Sequence, residues 1–231
     1  MTSYARFEIV LIVLVGGALT ALAAVYLGWW ALVPGVPALA LLSFYRDPPR
    51  RVPESDNLIL APADGKIVEV TRDVPTDDDA PLLRIMIFLS VLDVHINRSP
   101  CAGRVENVAY QPGEFLNALR PEADTRNENN TVTIVPAEPL PGPIRVRQIA
   151  GVLARRIVCR ARPGDRMAAG ERFGMIKLGS RTEVVLRENP GWEICVTIGD
   201  KVKAGSTILA RLHSTATPET HAPDEPGRNP R

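Results

Sequence analysis

The 231-residue chain carries Lys+Arg 27 against Asp+Glu 26, a formal net charge of +1. Without a clustered excess of base this argues against a nucleic-acid surface, and the length suits one sizeable domain plus an appendage. Cys101, Cys159 and Cys195 are odd in number and scattered, and the only histidines are His95, His213 and His221. No disulfide framework or metal-ligand cluster can be drawn from them, so no metal is expected, and a reducing compartment is.

From Ile9 to Tyr45 there is no charged residue. A spanning helix needs roughly 20 apolar residues, which Ile9 to about Trp29 supplies, with Trp29 and Trp30 where an interfacial belt would lie. Pro34-Gly35-Val36-Pro37 breaks the run, and Ala38 to Tyr45 is too short to span again alone. Either this is the tip of a tight re-entrant hairpin, or one span is followed by an interfacial segment. Arg46, Arg50 and Arg51 follow the run while Arg6 is offset by Glu8, which places the next domain on the cytoplasmic side of a cell membrane. A signal peptide ending near Ala21-Leu22-Ala23 is the competing reading, but its basic n-region is poor and the apolar run continues past that point.

After Arg51 the chain reads as short Val- and Ile-rich strands separated by Pro and Gly. They fall at Asn57–Ala61, Lys66–Thr71, Leu82–Ser90, Gly103–Gln111, Thr131–Val135, Ile144–Ala150, Arg156–Arg160 and Glu183–Leu186. One short helix is expected at Glu114–Leu119. The fold class is mainly β. The phrase Gly164-Asp165-Arg-Met-Ala-Ala-Gly170 returns as Gly199-Asp200-Lys-Val-Lys-Ala-Gly205, each with glycines where a turn needs positive φ and each running into a strand, Phe173–Ile176 and Thr207–Leu212. Paired phrases of this kind resemble the barrel-like β-sandwich of biotinyl and lipoyl carrier domains. The chain thus divides into a membrane-anchoring segment (1–45), a β-rich domain (46–213) and a Thr-, Pro- and charge-rich tail (214–231) expected to be disordered, which leaves His221 without a role.

Three places carry polar groups that chemistry can use. Asp64 sits in the Pro/Gly turn Ala61-Pro-Ala-Asp-Gly-Lys66, where an Asx-turn is the plain alternative. In Asp93-Val-His95-Ile-Asn97-Arg98 the alternating Asp93, His95 and Asn97 would face one side of an extended strand, with His95 the one group titrating near neutral pH. Gly179-Ser180 lies between the two echoed phrases. Gly-Ser is an ordinary turn dipeptide, yet a serine after glycine between strands is also placed to attack the carbonyl of its own peptide bond.

Phe44-Tyr-Arg-Asp-Pro48, Ala61-Pro-Ala-Asp-Gly65, Asp93-Val-His-Ile-Asn-Arg98, Gly113-Glu-Phe-Leu-Asn-Ala118, Gln148-Ile-Ala-Gly-Val-Leu-Ala-Arg-Arg156 and Arg172-Phe-Gly-Met-Ile-Lys-Leu-Gly-Ser180 occur in this order. From about residue 44 to 212 the chain resembles the short form of phosphatidylserine decarboxylase, a pyruvoyl enzyme of bacteria and archaea. The resemblance implies that Ser180 attacks Gly179, that elimination and hydrolysis leave a large chain (1–179) and a small chain (180–231), and that Ser180 becomes a covalent pyruvoyl group with no pyridoxal phosphate. Phosphatidylserine would join this group as a Schiff base and lose carbon dioxide, giving phosphatidylethanolamine. The resemblance makes Asp64 the acidic member of the processing relay and His95 its histidine. Long-form relatives carry a second histidine three residues on, where this chain has Arg98. His95 then fills both roles, helping cleavage and protonating the product carbon, or Arg98 stabilises charge. Arg98 and Asn97 are the expected substrate contacts. Arg46, Arg50 and Arg51 would lie near anionic lipid phosphates.

A membrane-anchored adaptor built of lipoyl-like halves would explain the anchor and the echo, but not the Asp93–Arg98 face or Gly179-Ser180. A carrier domain lacks a lysine at a hairpin tip, and a third reading keeps the chemistry with another head group.

Overall fold

The structure, a computed structural model, describes residues 1–74, 81–152, 156–177 and 180–213; the expected tail with His221, and Gly179, lie outside them. Helix α1 (Arg6–Leu27) is about 33 Å long at 1.5 Å per residue, enough to cross a hydrocarbon core. It is the one described helix long and apolar enough to span, over Ser3–Tyr26. A 3-10 turn at Gly28–Ala31 leads into α2 (Leu32–Phe44), which contains Pro37. The two helices pack as a hairpin. The Thr2 N–H donates to Tyr45 O at 2.9 Å, so both ends of the apolar segment meet at the base of the domain. Gly16 permits the contact, since a Cβ there would stand 2.7 Å from Ala38 Cβ. Among the two sequence readings of this segment the structure adopts the hairpin.

The rest is mainly β, as expected. A curled eight-stranded sheet runs in the order β13 (Lys201–Val202), β2 (Gly65–Val74), β3 (Leu82–Leu89), β11 (Ser180–Arg187), β7 (Ile144–Ile149), β6 (Asn129–Pro136), β5 (Gly103–Gln111) and β9 (Arg166–Met167). Alternation sorts its faces. Leu83, Ile85, Ile87, Val132, Ile134, Val146, Val184 and Leu186 fill the core, while Arg84, Arg147, Arg181 and Glu183 lie on the other face.

Each echoed phrase holds an edge strand of this sheet, β9 or β13, and then runs into the middle strand of one of two matching three-stranded sheets: β1 (Leu58–Leu60), β14 (Ile208–Leu212), β12 (Trp192–Ile194) and β4 (Ile96–Arg98), β10 (Arg172–Ile176), β8 (Ile157–Cys159), with β14 and β10 in the middle. Gly164, Gly170, Gly199 and Gly205 all have positive φ, 97°, 72°, 105° and 69°. The two phrases touch: a Cβ on Gly205 would lie 3.2 Å from Gly170 Cα. They also grip the fold alike, Gly170 N–H on Ser99 O and Gly205 N–H on Ala61 O.

The helix expected at Glu114–Leu119 is absent. That stretch is irregular, and a single helical turn, α3 (Ala123–Arg126), follows it instead. The Asn127 carboxamide accepts from Leu116 N–H at 2.9 Å and donates to Leu116 O at 2.8 Å, taking those backbone groups out of any helical ladder. Arg181 Nη1 donates to Ala118 O at 3.0 Å and holds the segment across the outer face.

Candidate active site

Ser180 opens β11, opposite Leu89 on β3, and is fully buried. Its hydroxyl finds no hydrogen-bond partner among the described residues. A buried hydroxyl left unsatisfied costs about 1–3 kcal/mol, and such groups are rare enough to call for a reason.

The strand before it, β10, pairs with β4, and Ile176 N–H donates to His95 O at 3.1 Å. The chain therefore leaves one strand clasped to His95 at Ile176 and enters another at Ser180, with the Gly179–Ser180 bond between the two clasps. Extending the β2–β3 ladder one step past Lys66↔Phe88 sets Gly65 beside Leu89. Gly65, Leu89 and Ser180 thus form a row across three strands, and the Asp64 turn lies about 10 Å from Ser180 at 4.8 Å per strand. Gly65 belongs there because its φ is +156° and a Cβ would stand 2.2 Å from Phe88 O.

His95 is wholly buried, with its ring 4.4 Å from that of Phe44. Nδ1 lies 2.9 Å from Asp93 O. A carbonyl only accepts, which puts the proton on Nδ1 and the ring's lone pair on Nε2. Burial pulls the imidazole down to about 4, opposed by the Asp93 carbonyl and carboxylate, so the ring is neutral at neutral pH. Asp93 does not share its face. The strand begins only at Ile96, and the Asp93 carboxylate turns back to accept from Ser90 N–H at 2.8 Å and Ser90 Oγ at 2.7 Å, closing a turn.

Asn97 is fully buried in a chain of side-chain amides. Its Nδ2 donates to Thr182 Oγ1 at 3.1 Å, its Oδ1 accepts from Gln148 Nε2 at 2.8 Å, and Gln148 Oε1 accepts from Asn130 Nδ2 at 2.9 Å. The chain locks β4 to β11 two residues from Ser180. Arg98 is 6% exposed and donates to Asp47 Oδ1 at 3.0 Å, Gly170 O at 3.1 Å and Pro48 O at 3.3 Å. Both side chains are thus committed inside the fold.

Asp64 takes two bonds from Arg50 Nη2, at 2.7 and 2.9 Å, and one from Ala204 N–H at 2.9 Å. Burial raises its carboxyl above the usual range, and the Ala204 amide and Arg50 counter this in part. With the Ser180 hydroxyl unbonded and the described hydrogen bonds of Asp64 directed elsewhere, no Ser–His–Asp relay is assembled among the described residues.

The stretch joining the hairpin to the domain reaches His95, Arg98 and Asp64. Phe44 lies on His95, Asp47 pairs with Arg98 and with Arg172, and Arg50 pairs with Asp64. From inside the hairpin, Glu8 pairs with Lys177, three residues before Ser180. Arg50 therefore does not lie ready for a lipid phosphate: its side chain is 10% exposed and held by Asp64. Arg46 donates instead to Ser43 O and Leu92 O. The run Phe44-Tyr-Arg-Asp-Pro48 marks this stretch in the sequence, but the partners are too distant along the chain for any pattern to pair them. Among the described residues no group of three His, Cys, Asp or Glu is arranged to hold a metal ion.

Compared with known families, residues 38–210 match phosphatidylserine decarboxylase. Relatives named phosphatidylserine decarboxylase proenzyme include one from Rhodopirellula baltica, 48% identical over 208 residues, covering 88% of this chain and 85% of the relative. Another, from Nitrosomonas eutropha, is 44% identical over 188 residues, covering 81% and 85%. A third, from Gluconacetobacter diazotrophicus, is 49% identical over 177 residues, covering 74% and 76%. Identity at this level across most of both partners, on a fold that buries Ser180, His95 and Asp64, leaves one conclusion: the chain belongs to the phosphatidylserine decarboxylase family.

Proposed function

We propose that this protein decarboxylates phosphatidylserine to phosphatidylethanolamine and carbon dioxide, and that it is made as a precursor which cuts itself between Gly179 and Ser180. The observation that carries the reading is the buried Ser180 hydroxyl, without a partner among the described residues, at the start of a strand that follows one clasped to His95. In the cut, Ser180 Oγ attacks the Gly179 carbonyl carbon and the peptide C–N bond gives way to an ester. Loss of the Ser180 α-proton releases the Gly179 carboxylate, and water replaces the nitrogen, which leaves as ammonia. The 1–179 and 180–231 chains result.

His95, neutral and with its lone pair on Nε2, is the base for the Ser180 proton. Asp64, its charge held beside Arg50 at the same end of the sheet, is the acidic member of the processing set. The site fits a pyruvoyl group made from Ser180 itself, whose ketone, once formed, supplies the sink for the electrons left by carbon dioxide. His95 returns a proton to the substrate α-carbon. Asn97 and Arg98 hold β4 beneath His95, Asn97 through Thr182 and Arg98 through Asp47. The hairpin lies in the membrane with the domain at its cytoplasmic face, where a lipid head group is within reach.

Intact-mass measurement of the purified protein tests this. The expected result is two chains, the smaller beginning at residue 180, blocked to sequencing and lighter by one ammonia than a chain beginning with serine. A single chain that stays uncut on incubation with membranes would overturn it.

A further inference from the structure

Two apolar side chains stand out beside the site. Val91 is 45% exposed and Leu92 is 82% exposed, at the tip of the turn between β3 and β4. Turn tips favour Gly, Asn, Asp and Ser, and a leucine left in water forgoes the stabilisation that burial would bring. The turn is preformed: Asp93 N–H donates to Ser90 O at 3.0 Å, and the Asp93 carboxylate caps Ser90 from the other side.

Its place is what gives it meaning. Arg46, two residues after α2 ends, donates to Leu92 O, so the turn lies one side chain from the point where the hairpin leaves its domain end. Val94 and Ile96, just beyond the turn, pack with Phe44, and Tyr4 and Tyr45 at the two ends of the hairpin lie against the same cluster. The exposed Val91-Leu92 pair is therefore next along the chain to the apolar cluster at the hairpin's base, with the basic Arg46 beside it.

We propose that Val91 and Leu92 dip into the phospholipid bilayer as a second membrane contact, seating His95 at head-group level. The occupant of this surface is the interfacial layer of the membrane, and the inference rests on reading the α1–α2 hairpin as membrane-embedded. Aromatic and aliphatic residues beside basic ones are the composition that binds such interfaces. The loop acts on the depth and angle of the domain, not on the chemistry.

The test uses full-length protein with Cys159→Ser and Cys195→Ser, Cys101 being buried, in vesicles of phosphatidylethanolamine and phosphatidylglycerol. Leu92→Cys, Trp30→Cys and Val135→Cys are each labelled with a bimane fluorophore, and lipids spin-labelled on the acyl chain act as quenchers. Trp30 reports the hairpin tip, and Val135, 45% exposed at the far end of β6, reports the domain surface. The expected result is strong quenching at positions 92 and 30 and none at 135.

Quenching at 30 without quenching at 92 would overturn the loop contact and leave the anchor standing. Absence at both would overturn the membrane reading itself. Protection of position 92 from aqueous iodide, dependent on protein concentration and without lipid quenching, would mean a second copy covers the turn, and also overturns the proposal. In vesicle assays Leu92→Asn raises KM for phosphatidylserine about tenfold, the equivalent of losing roughly half a leucine's burial, with kcat and self-cleavage unchanged. A fall in kcat at constant KM would count against it.

Discussion

The two three-stranded sheets whose middle strands follow the echoed phrases share a pairing pattern and differ in what they carry. In one, Ile176 N–H donates to His95 O; in the other, Leu212 N–H donates to Asn57 O in the same position. His95 is buried with its ring on Phe44, whereas Asn57 is half-buried and its Nδ2 donates back to Leu212 O at 2.9 Å. After Ile176 the chain runs to Ser180, whose hydroxyl has no partner among the described residues; after Leu212 it runs out to an exposed His213 paired with Glu193. A duplicated clasp thus becomes a candidate site in one copy only, by exchanging a self-satisfied amide for a buried imidazole and placing a buried hydroxyl after it.

The largest effect expected on this contrast is that of Ser180→Ala, which should give one full-length, inactive polypeptide on a denaturing gel. Normal decarboxylation by that variant would place the electron sink elsewhere. His95→Ala should lower decarboxylation by about 10²–10⁴-fold, the usual range for a lost acid–base group, even when normalised to the fraction of molecules that have cut. Full turnover in cut molecules would remove His95 from the mechanism.

Arg50→Gln leaves the buried Asp64 carboxylate without its cation and should destabilise the fold by about 3–5 kcal/mol, read from melting in detergent. It should also drive the Asp64 carboxyl further up and slow the cut. An unchanged melting point would show that the pair stabilises nothing.

The pH dependence of melting sharpens the contrast in a Ser180→Ala precursor. His95 titrates near 6.5 when unfolded and at about 4 when folded, so the unfolded chain binds more protons between these values. Its contribution, about 3 kcal/mol in full, is present above pH 6.5 and is lost as pH falls towards 4. Asp64, raised in the fold, acts with the opposite sign, favouring the fold below its ordinary 3.8 and losing that as pH rises through its folded value. Adding His95→Gln should flatten the slope between pH 4 and 6.5; a slope left intact would assign it to other groups. The smallest effect is that of Asn57→Ala, about 1 kcal/mol for one hydrogen bond, with cutting and turnover at wild-type rates.

Much of this was legible because it is local. The echoed glycines announced their positive φ through spacing alone, the Val- and Ile-rich runs became strands, and the uncharged run to Tyr45 became the hairpin. What escaped was decided by distance or by competition. Lys177 and Glu8 are 169 residues apart and Arg50 and Asp64 are 14 apart, and no periodicity links such partners. Asp93 read as a strand residue because it alternates with His95 and Asn97, yet capping Ser90 won over extension. Glu114–Leu119 had helical composition, but the Asn127 carboxamide claimed the Leu116 backbone. Asn97 and Arg98 are the expected substrate contacts, and one strand cannot reveal that their side chains also bond Thr182, Gln148 and Asp47.

The place of β11 bears on what a cut could do to the molecule. Every residue from Ser180 to Arg187 is paired with β3, and Arg181 to Val185 are paired on the other side with β7. Past it, β14 lies between β1 and β12, and β13 borders β2. A scission before Ser180 would sever the chain without opening a seam, since the shorter fragment is threaded through the longer one in two sheets. Separating them means unzipping the central ladder, so the fragments should behave as a permanently interlaced pair and come apart only when the whole domain melts.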